Sequence, residues 1–142
     1  MCRFGDIRLR GGANSSEGRV EICYHDNQWG TVCDDEWGSA DANVACRQLG
    51  FSPTGWLHAC NLLYQWYLRC FKIFPTGATA VSLALFGQGT GAILLDDVRC
   101  TGSETRLVDC PSNGIGVHDC AHSEDAGIIC ESKQLCFPIC CV

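Results

Sequence analysis

The sequence predicts a small α+β domain stapled by disulfides, on three observations. Thirteen of the 142 residues are cysteine, about 9%, near the level at which composition signals a disulfide scaffold. Short runs near the N-terminus alternate apolar and polar residues between turn residues, as half-buried strands do. One later stretch carries the start and stop signals of a helix.

In chain order, Ile7-Arg8-Leu9-Arg10 alternates, Gly11 to Ser16 is loop, and Arg19 to Tyr24 alternates again. His25-Asp26-Asn27 makes a turn before Gln28 to Cys33, the returning strand of a hairpin. Ser39 reads as the N-cap of a helix over Ala40 to Leu49, with Asp41 in its first turn and Gly50 placed to stop it. Ala92 to Leu95 reads as a buried strand, and Ser103 to Asp109 as a second, shorter helical turn.

The length fits one domain with a core and is short for two. A formal charge of −6 with only ten scattered Lys and Arg argues against a general nucleic-acid binder, which needs a basic stripe. Met1 to Asp6 has no apolar segment or cleavage site of a secretory leader. The chain therefore reads as a fragment, a mature segment or an incomplete gene prediction of an extracellular protein.

Cysteine spacing is the sharpest signal. Cys33 and Cys46 are thirteen apart, and Cys100, Cys110, Cys120 and Cys130 follow at intervals of ten. Spacing alone leaves the pairing of six cysteines open. Structural zinc sites favour cysteines two to four residues apart, which limits a zinc reading to Cys136, Cys140 and Cys141.

The segments GDIRLRGGANSSEGRVEI, QWGTVCDDEWGSADANVACRQLGF, FGQGTGAILLDDVRCTGSETRLVDC and HDCAHSEDAGIIC resemble a scavenger receptor cysteine-rich domain of the six-cysteine group. The resemblance covers 6–131, leaving 1–5 as an N-terminal stub and 132–142 as a Cys-rich tail. It implies a small curved β-sheet cradling one α-helix, with bridges Cys33 to Cys120, Cys46 to Cys130 and Cys100 to Cys110. Cys2, Cys23, Cys60, Cys70, Cys136, Cys140 and Cys141 fall outside that framework, an odd seven, so at least one is free or intermolecular if the others pair. Leu94, Val108 and Ile115 stand where such domains often carry tryptophan, which alters the surface of the second half.

Residues 56–77 interrupt the resemblance. Pro-Thr-Gly occurs at Pro53 to Gly55 and again at Pro75 to Gly77, and deleting either copy with the intervening residues restores a family-like sequence. A selected insertion and a splicing or gene-prediction artefact both leave this mark. Within the segment, His58, Asn61, Gln65, Arg69 and Lys72 recur at spacings of three and four, which puts them on one stripe of a helix. A helix over Leu57 to Phe74 would be about 27 Å long, yet its polar residues favour lying on a membrane or a partner over spanning. Packing on its own domain or disorder is the plainer alternative. Cys60 and Cys70 would be ~15 Å apart along such a helix, so a bridge between them would require a hairpin instead.

Clustered acids are the candidate chemistry. Asp34 and Asp35 follow Cys33, and Glu124 with Asp125 lies between Cys120 and Cys130, so the implied Cys33 to Cys120 bridge gathers them. Carboxylates gathered this way repel unless a hard cation such as calcium or magnesium sits among them. The resemblance matches Asp34, Asp35 and Glu124 to one divalent-cation site and Asp96, Asp97 and Asp119 to a second, with Asp119 where asparagine is common. The plainer alternative is that these acids cap turns. A bound cation would let an acidic domain take an anionic ligand, and Arg19, Arg47 and Arg99 are candidates for direct contact.

GRVEICYHDNQW also resembles a ligand-binding stretch, one residue longer between Ile22 and Trp29. Trp29 and Trp37 read as core anchors. His118, Asp119, His122 and Ser123 include triad residue types, but no nucleophile motif accompanies them. GQGTGA, Gly87 to Ala92, fails the dinucleotide spacing. Asn14-Ser15-Ser16 is an N-glycosylation acceptor in a secreted chain. The expectation is a non-catalytic extracellular recognition module, part of a larger multidomain protein, binding polyanionic or protein ligands through a cation-assisted surface. The rivals are a structural or regulatory domain of a receptor or protease without a ligand of its own, and a splice product that does not fold.

Overall fold

The computed structural model describes residues 1–51 and 77–130. The expectations for 56–77, including the helix over 57–74 and the fate of Cys60 and Cys70, lie outside the described residues. So do those for Cys136, Cys140 and Cys141.

Among the described residues six strands form one sheet: β1 Ile7–Gly11, β2 Glu17–Cys23, β3 Trp29–Val32, β4 Ala78–Val81, β5 Ile93–Leu95 and β6 Gly127–Cys130. Their order is β4-β6-β2-β3-β5, with β1 paired to β2 off this path. One end of β2, Glu17 to Arg19, pairs with β6, while the other, Glu21 to Cys23, pairs with β3. This change of partner lets the sheet curl into a half-barrel. The β2 to β3 turn has Asp26 at φ 40° and Asn27 at φ 65°, the two left-handed residues that a two-residue hairpin favours. The periodicity anticipated β1, β2, β3 and β5. It did not reveal β4 and β6, each four residues long.

Among the described residues the single α-helix, α1, runs Ser39–Gln48. Its N-cap is Gly38, one residue before the expected Ser39, because Asp41 Oδ2 reaches back to accept the Gly38 N–H at 2.8 Å. Asp41 Oδ1 also accepts the Cys100 N–H at 2.7 Å, so this carboxylate starts the helix and ties it to the second half of the domain. Gly50, at φ 87° with its N–H on the Arg47 carbonyl, ends the helix as expected, since that conformation suits glycine. The helix buries Ala42, Val44, Ala45 and Cys46 and packs against β4 and β6. Its apolar face meets Val20, Ile22, Val32, Leu95, Val98, Leu107 and Ile128 in one core.

The turn expected over Ser103 to Asp109 is helical only at Leu107–Asp109, as a 3-10 turn. Ahead of it Glu104 accepts the N–H groups of Thr101 and Gly102 and the Thr101 hydroxyl. The Thr101 amide, first among these donors, holds the Glu104 carboxyl down at about 2. That local pairing competes with helix.

Trp37 is a core anchor as expected, buried with its Nε1–H donated to the Gly127 carbonyl at 2.9 Å. Trp29 is not. It is half-buried on the sheet, with the Arg8 guanidinium 4.1 Å over its ring. Trp37→Phe should keep most of the packing and lose the hydrogen bond, costing about 1 to 3 kcal/mol in urea denaturation. An unchanged midpoint would deny that bond a structural role.

Among the described residues four disulfides close the domain. Cys33–Cys120, Cys46–Cys130 and Cys100–Cys110 match the expected framework. Cys2–Cys23 adds a fourth bridge, from two cysteines that had been left outside it. It fastens the N-terminal residues to the end of β2.

Candidate functional site

β3 and β5 are parallel neighbours, so both lead into loops at the same end of the sheet. Cys33-Asp34-Asp35 follows β3, and Asp96-Asp97 follows β5. The Cys33–Cys120 bridge then brings in Asp119 and the 3-10 turn His122–Glu124. The structure thereby joins residues expected in two separate sets. Carboxylate oxygens of Asp35 and Asp96 and the sulfurs of Cys33 and Cys120 all lie within 4.8 Å of one another. The sulfurs are bonded to each other, leaving the two carboxylate oxygens as the hard donor atoms of the group.

The Asp35 carboxyl is raised above the usual aspartate range. Local loss of water at the group is the first cause, although the side chain is exposed, and the charges of Asp96, Glu124, Asp34 and Asp119 push in the same direction. Five acids therefore share one field. Asp96 is 2% exposed. Its Oδ1 accepts the Asp97 N–H at 2.7 Å, and its Oδ2 lies 3.4 Å from the Asn113 amide. This carboxylate is therefore buried among amide partners with the Asp35 carboxylate alongside.

The other acids also serve the backbone, as the turn-capping alternative expects. Asp34 accepts the Leu83 N–H at 2.5 Å, and Glu124 accepts the Ala121 N–H at 2.8 Å. Asp97 accepts from the Asn113 side chain at 2.7 Å and pairs with Arg99 at 3.1 Å. Asn113 therefore braces the β5 side of the cluster, a role that no periodicity or spacing announces.

The three arginines divide. Arg19 pairs with Glu21 at 2.7 Å and donates to the Gly87 carbonyl at 2.7 Å, with only 12% of its side chain exposed. Its Nε is buried without a partner among the described residues. Arg47 donates to the carbonyls of Gly102 and Glu104. These two side chains are engaged by the fold itself. Arg99, with a side chain 57% exposed, stays available beside the cluster. Arg19 and Arg8 together hold the Glu21 carboxyl below its usual range, against the burial that pushes it up.

The contacts of His122 are not those of a nucleophile relay. His122 Nδ1 lies 3.1 Å from the Asp125 carboxylate and 3.4 Å from Thr31 Oγ1, while Nε2 faces the Gly91 carbonyl at 3.3 Å. The hydroxyl and the carboxylate thus meet the same ring nitrogen, whereas a relay needs one on each. Asp125 is the residue that sequence reasoning undervalued. Fully buried, it accepts the Gly89 N–H at 2.6 Å. Gly89 is required at that approach, since a Cβ there would come within 2.4 Å of Thr31 Cγ2.

A curled half-barrel around one helix, closed by four bridges and carrying an acidic cluster at one end, defines a disulfide-stapled module of the extracellular kind. Residues 10–131 match the scavenger receptor cysteine-rich domain, and the chain belongs to that family, a module of receptors and proteases. A scavenger receptor cysteine-rich domain superfamily protein of Patiria pectinifera is 46% identical over 129 residues, 91% of this chain but 9% of the relative. The chain thus spans about a tenth of that protein. Among solved structures, the third domain of this family in murine neurotrypsin is 44% identical with a TM-score of 0.67, covering 89% of this chain and 95% of that one. The dimeric form of the corresponding domain of mouse MARCO is 40% identical with a TM-score of 0.59, covering 87% and 93%. Domains of this family are extracellular and typically non-enzymatic binding modules. Among the described residues no helix is long and apolar enough to cross a membrane.

Proposed function

We propose that this domain is a ligand-recognition module of scavenger-receptor type, binding polyanionic or protein ligands through a surface that holds a divalent cation, calcium or magnesium. The observation that carries the reading is the Asp35 and Asp96 pair, whose carboxylate oxygens share one 4.8 Å neighbourhood inside a ring of further acids. Hard oxygen donors of this kind suit calcium and magnesium. Asp35 and Asp96 would hold the ion, with Asp34, Glu124 and Asp119 lowering its energy by their charge. Asp97, engaged by Asn113 and Arg99, contributes from one shell further out. When bound, the ion supplies the local positive charge that an anionic ligand group needs. Arg99 adds a guanidinium beside it.

The test is calorimetric titration of calcium into the oxidised chain. Saturable binding is expected, weakened about tenfold or more by Asp35→Asn or Asp96→Asn, with both variants still folded by circular dichroism. No saturable binding by the folded chain would overturn the reading.

The pH dependence has a definite sign. Asp35 is raised in the folded state, so ionising it weighs against the fold as pH rises through its folded value, and a cation relieves that penalty. Acidification through the same range returns the proton and expels the ion. Calcium affinity should therefore fall as pH drops, and Asp35→Asn should flatten the dependence.

A second reading, a structural or regulatory domain without its own ligand, draws support from the internal use of Arg19, Arg47 and Asp34 and from the length of the relative.

A further inference from the structure

The loop between β1 and β2, residues 12–16, carries a motif that neither the cation site nor the core uses. Asn14 is exposed at this hairpin tip. Its Oδ1 accepts two hydrogen bonds from Ser16, from the N–H at 2.8 Å and from the hydroxyl at 2.6 Å. Its Nδ2 donates to no group among the described residues. The loop is anchored where it returns to the sheet, since the Ser16 carbonyl accepts the Cys130 N–H at 2.7 Å, next to the Cys46–Cys130 bridge. Asn14-Ser15-Ser16 is also the only Asn-X-Ser/Thr tripeptide in the sequence.

We propose that Asn14 carries an N-linked oligosaccharide. An extracellular family and four disulfides imply passage through the secretory route, where such acceptors meet their donor. In the transfer, Asn14 Nδ2 forms a bond to C1 of the first sugar of a lipid-pyrophosphate-linked oligosaccharide. The bond from C1 to the pyrophosphate oxygen breaks, the lipid pyrophosphate leaves with the electron pair, and Nδ2 loses one proton. No oxidant or reductant is needed. The product suits the fold, because the sugar replaces one hydrogen on Nδ2 and leaves both bonds to Oδ1 in place.

A purely structural role for Asn14, shaping the turn through Oδ1, is separable from this one. Asn14→Asp keeps the acceptor oxygens and removes the nucleophilic nitrogen. Expressed with a secretory leader in animal cells, the wild-type chain should run as a glycoform that peptide N-glycosidase collapses, leaving aspartate at position 14 by mass spectrometry. Asn14→Asp and Ser16→Ala should be secreted without the glycan, and Ser16→Thr should retain it. Secreted wild type and Ser16→Thr that both lack the sugar would overturn the proposal. Calcium titration of the same preparations keeps this outcome distinct from the cation reading, since Asn14 shares no hydrogen bond with the carboxylate cluster.

Discussion

Replacing Cys46 and Cys130 together by alanine is expected to leave a chain that does not fold stably at physiological temperature, while the Cys100→Ala/Cys110→Ala pair should remain folded with a lowered midpoint. The difference follows from loop length. Cys46–Cys130 spans 84 residues and Cys100–Cys110 spans 10. Chain entropy alone then assigns about 4.5 kcal/mol to the long bridge and about 3 kcal/mol to the short one. Packing adds to the gap, because Cys46 and Cys130 are 1% and 2% exposed and join α1 to β6 within the core. Two cavities at that junction raise the cost further. With total stabilities of small domains near 5 to 15 kcal/mol, such a loss removes a large share. Urea denaturation of both variants checks this ordering. Equal losses would mean that the long bridge acts only locally.

The same bridges show what the sequence disclosed and why it stopped where it did. Residue types and spacing set β1, β2, β3, β5 and the stop of α1 at Gly50, because alternation and capping are local. The three framework bridges came from the resemblance, since spacing alone leaves their pairing open. Cys2–Cys23 was not legible: both cysteines lie outside the motif, and their meeting depends on Gly5 and Cys23 bonding across the start of the domain. β4 and β6 were missed because each is only four residues long, too short to show alternation, and β6 is buried at three of its four positions. The candidate site was half legible. Asp34, Asp35 and Glu124 announce themselves beside cysteines, but the approach of Asp35 to Asp96 requires the parallel pairing of β3 and β5, which only the curled sheet supplies. Arg19 and Arg47 looked like surface cations, and their burial depends on carbonyls 55 to 68 residues away.

Asp125→Ala should produce the largest loss from a single non-cysteine change near the site. Its side chain is fully buried and accepts from Gly89 N–H at 2.6 Å and His122 Nδ1 at 3.1 Å. Its backbone carbonyl takes the Ala84 N–H, and its N–H is donated to the His122 carbonyl. Removing the carboxylate strands the Gly89 donor and leaves the His122 ring without its acceptor, at a cost of about 3 kcal/mol or more. Asp125→Asn keeps an oxygen for Gly89 and gives up only the charge toward His122, so its cost should be about 1 to 2 kcal/mol. The consequence extends to function, because Asp125 fixes the turn that carries Glu124, and the Glu124 carbonyl accepts the Asp34 N–H at 2.7 Å. Asp125 is thus a positioning residue for the acidic cluster. Asp125→Ala that still folds in the cold should bind calcium more weakly than wild type, whereas Asp125→Asn should recover most of the affinity. Alanine and asparagine variants of equal stability and equal calcium affinity would show that the buried carboxylate neither supports the fold nor sets the site.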